Sequence, residues 1–121
     1  MVQVGNEITN GMIWPLGKLP PAVNGKTLAS FVASGLKAVH DTDAGIKTMI
    51  HIDKGGDNAA SRTFYDQLIN TNGVKDFDVI GLSYYPFWHG NMQQMQANIN
   101  DLAARYGKDV VIVETAFGYT N

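Results

Sequence analysis

At 121 residues, 45% hydrophobic and a formal net charge of −2, the chain has enough apolar material for one core and too little length for two domains of ordinary size. Charges of both signs are scattered along it, so no basic face offers itself to nucleic acid or to an anionic membrane, and no apolar run approaches the roughly 20 residues of a membrane span. With no cysteine, disulfides, thiol catalysis and thiolate metal sites are excluded.

Residues 2–5 form a short β-branched strand that runs straight into Asn6 and Glu7. A connection of 18 residues, 8–25, follows, against the roughly 2–6 usual between a strand and its helix; loops of that length are commonly functional. Leu28, Phe31, Val32, Leu36 and Val39 recur at helical spacing, with Thr27 placed as the N-cap. Residues 46–52 predict a second strand, followed by Asp53 and Gly55-Gly56. Ala60, Phe64, Leu68 and Ile69 predict a second helix that starts after Asp57 and Asn58 and closes near Asn72-Gly73, where a left-handed cap is easy. Residues 77–84 predict a third strand, which runs into Tyr84-Tyr85-Pro86-Phe87-Trp88-His89. Met92, Met95, Ile99, Leu102 and Tyr106 form a third helical stripe ending at Gly107, with the methionines read as core. Residues 110–113 are the fourth strand, ending in Glu114-Thr115-Ala116-Phe117.

The order β-α-β-α-β-α-β predicts an α/β fold of parallel strands with right-handed helical crossovers, in one domain or part of one. Polar, acidic and aromatic residues gather after the strands, and in such folds ligands bind at the carboxyl ends of strands. Some motifs fail. Gly25-Lys26-Thr27 has Pro20 where a phosphate-binding loop needs glycine. His51, Asp53 and Asp57 read as polar contacts, not as a metal set. No nucleophile elbow with Ser-His-acid order is present. The surviving pair is Glu7 and Glu114, each directly after a β-branched strand and so at one end of the sheet. Two carboxylates facing one ligand suit glycoside hydrolysis.

Asn6-Glu7 after the first strand and Glu114 after the fourth resemble the clan of (β/α)8 retaining glycosidases, whose acid/base follows an asparagine at the fourth barrel strand and whose nucleophile ends the seventh. More narrowly, VQVGNEITNGMIWPLG, GLSYYPFWHG and RYGKDVVIVETAF look like the endo-β-1,4-galactanases of glycoside hydrolase family 53, and the resemblance covers nearly the whole chain. It implies an α/β segment of a (β/α)8 TIM barrel, from its fourth strand to its seventh. Residues 1–121 would form a partial catalytic domain that finds the rest of its barrel in a parent chain. It implies Glu7 as general acid/base, Glu114 as nucleophile and Asn6 as partner of the sugar 2-hydroxyl.

Among the aromatic and polar neighbours, Tyr84 is expected to orient Glu114, with Tyr85 as the alternative because strand parity is uncertain at a terminus. Trp88 is expected to stack on sugar, while Trp14 is left between stacking and packing under its own loop. His51, Asp53 and His89 are placed to bind sugar hydroxyls or to brace loops. Phe117 stands where the family leads one to expect tyrosine, so a hydroxyl contact is lost there. The implied substrate is β-1,4-galactan, with no nucleic acid or membrane partner, and the implied location is extracellular. The chemistry requires no cofactor, and any structural calcium would belong to regions outside these residues. The alternatives are another retaining polysaccharide hydrolase of the same clan, such as a mannanase or cellulase, or a noncatalytic carbohydrate-binding relic.

Overall fold

A computed structural model of the chain describes residues 1–19 and 25–118. Four strands pair in one parallel sheet: β1 (Val2–Gln3), β4 (Thr48–Ile52), β5 (Val79–Tyr84) and β6 (Asp109–Thr115), in that spatial order. Between them run α1 (Lys26–Thr42), α2 (Asn58–Tyr65, continued by a π-helical stretch over Asp66–Thr71) and α3 (Met92–Tyr106). Strands that neighbour one another in both sequence and space, joined by helices, build one side of a (β/α)8 barrel. Among the described residues no helix is long and apolar enough to cross a membrane.

Every residue of β4 and β5 is buried, as the continuous apolar runs imply. Ile50, Ile52, Ile80 and Leu82 face the helices and pack with Val32, Leu36, Phe64 and Leu102. Tyr65 fills the centre of that layer, its hydroxyl donating to the Ile50 carbonyl at 3.0 Å. The opposite face, which is the interior face of a barrel, carries Met49, His51, Gly81 and Ser83. A Cβ at Gly81 would stand 2.6 Å from Met49 Sδ. The edge strands are the exception to burial: both residues of β1 are exposed, and β6 is exposed or half-buried throughout.

Three expectations are corrected. The first strand is shorter than residues 2–5, because Gly5 at φ 84° and Glu7 at φ 47° break extended geometry. Thr27 lies inside α1, and Gly25, at φ 67°, occupies the N-cap without a side-chain cap bond. The third helix does not bury its methionines. Met92 is exposed, and with Met95 it lines an apolar surface pocket beside Ile112 and Phe117. The buried positions of α3 are Asn98 and Leu102.

The long first connection contains a 3-10 turn, Ile8–Asn10, and a small antiparallel hairpin of β2 (Gly11–Met12) and β3 (Gly17–Lys18), with a cis peptide bond between Trp14 and Pro15. Residues 20–24 of that connection lie outside the described residues. Other caps follow the sequence reading. Asp57 Oδ1 accepts from the Ala60 amide at 2.9 Å, and Gly107 ends α3 in the left-handed region. Asn91 and Gln94 form a reciprocal capping box at the start of α3.

Candidate active site

Glu7 is set by the backbone that precedes it. Gly5 turns the chain off β1 at a point where any Cβ would approach Ile8 Cγ2 to 2.6 Å. Glu7 itself adopts the left-handed region, φ 47° and ψ 49°, before the 3-10 turn. That conformation costs a non-glycine residue on the order of 1 kcal/mol, a strain that functional sites commonly hold.

Glu114 is aimed by a bulge. Leu82 pairs with Ile112, but Ser83 pairs with Glu114, so Val113 stands out of register. Plain alternation from Ile112, which packs on the helix layer, would send Glu114 to that layer as well. The extra residue turns it to the interior face instead. A carboxylate oxygen of Glu7, one of Glu114 and a ring nitrogen of His51 all lie within 4.8 Å of one another.

Between the two acids sits His51, with no exposed surface. Its Nε2 is 2.8 Å from Ser83 Oγ, and that hydroxyl is 2.6 Å from Glu7 Oε1. Its Nδ1 is 3.1 Å from Asn6 Oδ1, 3.2 Å from Gln3 Nε2 and 3.9 Å from Glu114 Oε1. Gln3 Nε2 also donates to Asn6 Oδ1 at 3.1 Å and to the Gly5 carbonyl at 2.9 Å. Burial lowers the proton affinity of the imidazole below its ordinary value, against the opposing fields of Glu114, Glu7 and Asp53, which keeps the ring neutral at physiological pH. His51 is therefore not a sugar-binding side chain: it is sealed behind the two acids. Glu7, His51 and Glu114 stand close enough to share a cation, and both ring nitrogens and one Glu7 oxygen have hydrogen-bond partners within the protein.

Tyr84 does not orient Glu114. Its side chain is buried on the helix side of β5, and its hydroxyl donates to the Gly90 carbonyl at 2.9 Å. Tyr85, on the parity of Ser83, donates to Glu114 Oε2 at 3.2 Å. Burial, that bond and the Glu114 charge raise the proton affinity of the Tyr85 phenol, so it remains a donor. The His89 Nδ1 accepts from the Tyr85 amide at 3.0 Å and Asp53 accepts from the Thr9 hydroxyl, so both brace loops. For Asp53 burial works against ionisation, but the Thr9 bond and Lys54 prevail and hold the carboxyl below its ordinary value.

Trp88 is 75% exposed, its ring 5.6 Å from Tyr85 and 5.9 Å from Phe87. Phe87 in turn stacks on Phe117 at 6.2 Å. Trp14 is half exposed, with its Nε1 donating to the Asn10 carbonyl at 3.2 Å and Lys18 Nζ 4.3 Å from its ring. Reasoning from sequence missed Gln3 and Ser83 altogether. Both are alternate-parity residues on the interior face, and their polarity inside apolar runs is the signal that marks them.

Two close carboxylates at the C-terminal ends of parallel strands define the class: a segment of a (β/α)8 barrel of glycoside-hydrolase type. The chain belongs to glycosyl hydrolase family 53, whose sequence pattern matches residues 1–121. It is 50% identical over 125 residues to an uncharacterized protein in the bgaB 5' region of Niallia circulans, covering 99% of this chain and 34% of that protein. It is 41% identical over 122 residues to a probable arabinogalactan endo-beta-1,4-galactanase A of Aspergillus fumigatus, covering 95% of this chain and 33% of that protein. Its fold superposes on the Ignisphaera aggregans GH53 catalytic domain with a TM-score of 0.86 at 39% identity, covering 98% of this chain and 31% of that one. The chain thus spans about a third of the length of the proteins it matches.

Proposed function

We propose that the segment supplies both catalytic carboxylates of a retaining endo-β-1,4-galactanase that cleaves type I arabinogalactan. The single observation that carries the reading is the separation of the Glu7 and Glu114 oxygens, within 4.8 Å, in a chain of family 53. Retaining enzymes hold their carboxyl groups about 5 to 5.5 Å apart, whereas inverting ones leave about 6.5 to 9.5 Å for a water. Glu114 attacks the anomeric carbon while Glu7 protonates the leaving oxygen; Glu7 then takes the proton of the water that releases the sugar from Glu114. Tyr85 holds the nucleophile. Asn6, whose Oδ1 is occupied by Gln3 and faces His51, keeps its amide N–H groups for the sugar 2-hydroxyl. The exposed face of Trp88 offers a shelf for the apolar side of a pyranose. The chemistry needs no cofactor, and a polymer that cannot cross a membrane places the enzyme outside the cell.

The test is made in the complete barrel carrying this segment. Glu114→Ala abolishes release of reducing sugar from β-1,4-galactan, and azide restores turnover as a glycosyl azide of inverted anomeric configuration. Glu7→Gln slows substrates with poor leaving groups far more than activated aryl glycosides. Activity of Glu114→Ala without azide, or a preference for mannan or cellulose over galactan, refutes the reading.

A further inference from the structure

Glu7 is exposed, and its two carboxylate oxygens stand in unlike surroundings. Oε1 lies 2.6 Å from the hydroxyl of the fully buried Ser83, whereas Oε2 has no hydrogen-bond partner among the described residues. Ser83 is itself held in place. It stands opposite Glu114 at the bulge, and its carbonyl accepts from the Gly55 amide at 3.0 Å. On its other side the hydroxyl lies 2.8 Å from His51 Nε2.

A hydroxyl has one proton, so it donates to one of these neighbours and accepts from the other. Beside a carboxylate it donates to the carboxylate, the stronger acceptor. The His51 Nε2–H then donates to Ser83, which leaves the Nδ1 lone pair facing Gln3 Nε2 at 3.2 Å. That Gln3 nitrogen carries two hydrogens. One goes to the Gly5 carbonyl at 2.9 Å, and the other lies between His51 Nδ1 and Asn6 Oδ1, 3.2 and 3.1 Å away, as a shared three-centre bond. The same hydrogen shields the two lone pairs from each other, since Nδ1 and Oδ1 stand 3.1 Å apart. Every group in the line is served with the ring neutral, and among the described residues no buried side-chain nitrogen or oxygen is left without a partner.

We propose that Ser83, oriented by His51, is a positioning residue that keeps Glu7 Oε1 a permanent hydrogen-bond acceptor, so that the acid proton is carried only on Oε2, the oxygen left free for the leaving group. The proposal rests on Glu7 as acid and base but not on the identity of the sugar. When Glu7 is ionised, Ser83 donates to a carboxylate oxygen; when Glu7 is protonated, Ser83 donates to the carbonyl oxygen of the acid, and the bond stays in place. One proton moves, the one on Oε2. It passes to the leaving oxygen as the glycosidic bond breaks, and it is replaced from the water that attacks the glycosyl ester of Glu114. Ser83 and His51 keep their protons throughout. Without the hydroxyl the acid carries its proton on either oxygen, and a proton turned toward the interior is out of reach of the leaving group. The other titratable groups that face this line are Glu114 from β6, 3.9 Å from His51 Nδ1, Asp53 beyond the end of β4, and Tyr85 beyond β5, whose hydroxyl is taken by Glu114.

The test uses the complete barrel and whichever glycoside it cleaves. Ser83→Ala removes the donor to the carboxylate, so the alkaline limb of kcat/KM, which reports ionisation of the acid, moves to higher pH by on the order of one unit. On its plateau the variant loses on the order of tenfold with poor leaving groups and less than about threefold with activated aryl glycosides, which need little protonation. Ser83→Cys, similar in shape but a weaker donor, moves the limb in the same direction by less. A structural role alone lowers the plateau for both substrates and leaves the limb in place. A limb that stays or moves down in Ser83→Ala, or equal losses on the two substrates, overturns the assignment. Nitrogen-15 NMR of the wild-type barrel, labelled in histidine, needs no variant to fold. His51 is expected to carry its proton on Nε2 on both sides of the alkaline limb, and a proton on Nδ1 at either pH overturns the assignment. Equal slowing of both substrate classes by Glu7→Gln overturns Glu7 as the acid, whereas unequal slowing there with an unmoved limb in Ser83→Ala overturns the role of Ser83 alone.

Discussion

Replacing Asn98 by alanine removes the polar brace under the loop that follows β4. Asn98 is fully buried on α3, and its Nδ2 lies 2.9 Å from the Lys54 carbonyl, 3.0 Å from that of Gly55 and 3.1 Å from Ser61 Oγ. Its Oδ1 accepts from Asn58 at 3.0 Å. After truncation the Lys54 carbonyl keeps Ser61 Oγ and the Asp57 amide, and Asn58 keeps Asp101. The buried Gly55 carbonyl keeps no partner among the described residues. An orphaned buried carbonyl costs about 1 to 3 kcal/mol and each other lost bond about 1 kcal/mol, so the expected loss is about 3 kcal/mol. Urea unfolding reads it as a lower midpoint with an unchanged slope. Asn98→Leu restores apolar volume without serving the Gly55 carbonyl, and is expected to remain destabilised by more than about 1 kcal/mol. A loss under about 1 kcal/mol in both variants would refute the assignment of the loop's support to this side chain. The site feels the same change, because the Gly55 amide donates to the Ser83 carbonyl at 3.0 Å.

Tyr85→Phe in the complete barrel is expected to lower kcat about 10- to 100-fold with little change in KM, whereas Tyr84→Phe leaves kcat within about 3-fold and costs about 1 kcal/mol of stability. Initial-rate kinetics and urea melts of both variants decide it, and a reversed ranking refutes the orienting role of Tyr85. The Asp101 carboxylate, bonded by Arg62 and Asn58, is held well below its ordinary value. A group whose folded value is depressed stabilises the fold above its unfolded value near 3.9 and ceases to do so as pH falls through the folded one, so urea midpoints should drop below about pH 4 and drop less steeply in Asp101→Asn. The chain by itself is expected to release no reducing sugar from galactan above a Glu114→Ala control, and to self-associate at rising concentration by sedimentation, because β1 and β6 present unpaired edges. Monomeric turnover that the variant abolishes would refute this.

The strand and helix order was legible in the sequence because hydrophobic period is a local property. Ile50, Ile80 and Val110 mark strands, and Leu28, Phe64 and Leu102 mark helices, without reference to anything distant. Asn6-Glu7 and Glu114 stood out in the sequence for the same reason, each lying against a β-branched run, although the folded β1 stops at Gln3 and β6 runs on through Glu114 to Thr115. Tertiary structure alone decided what depends on pairing between segments. One residue of bulge at Val113 turns Glu114 inward, and the run of β5 through its last residues makes Tyr85, not Tyr84, its partner. Met92 looked like core and is exposed, while the polar Asn98 on the same helix is buried, because acceptors from the loop after β4 come to rest over α3. The contacts of Ser83 with His51 and Glu7 span 32 and 76 residues of sequence. A hydrogen bond acts over about 3 Å of space and carries no period along the chain, so only the folded register brings these three side chains into one line.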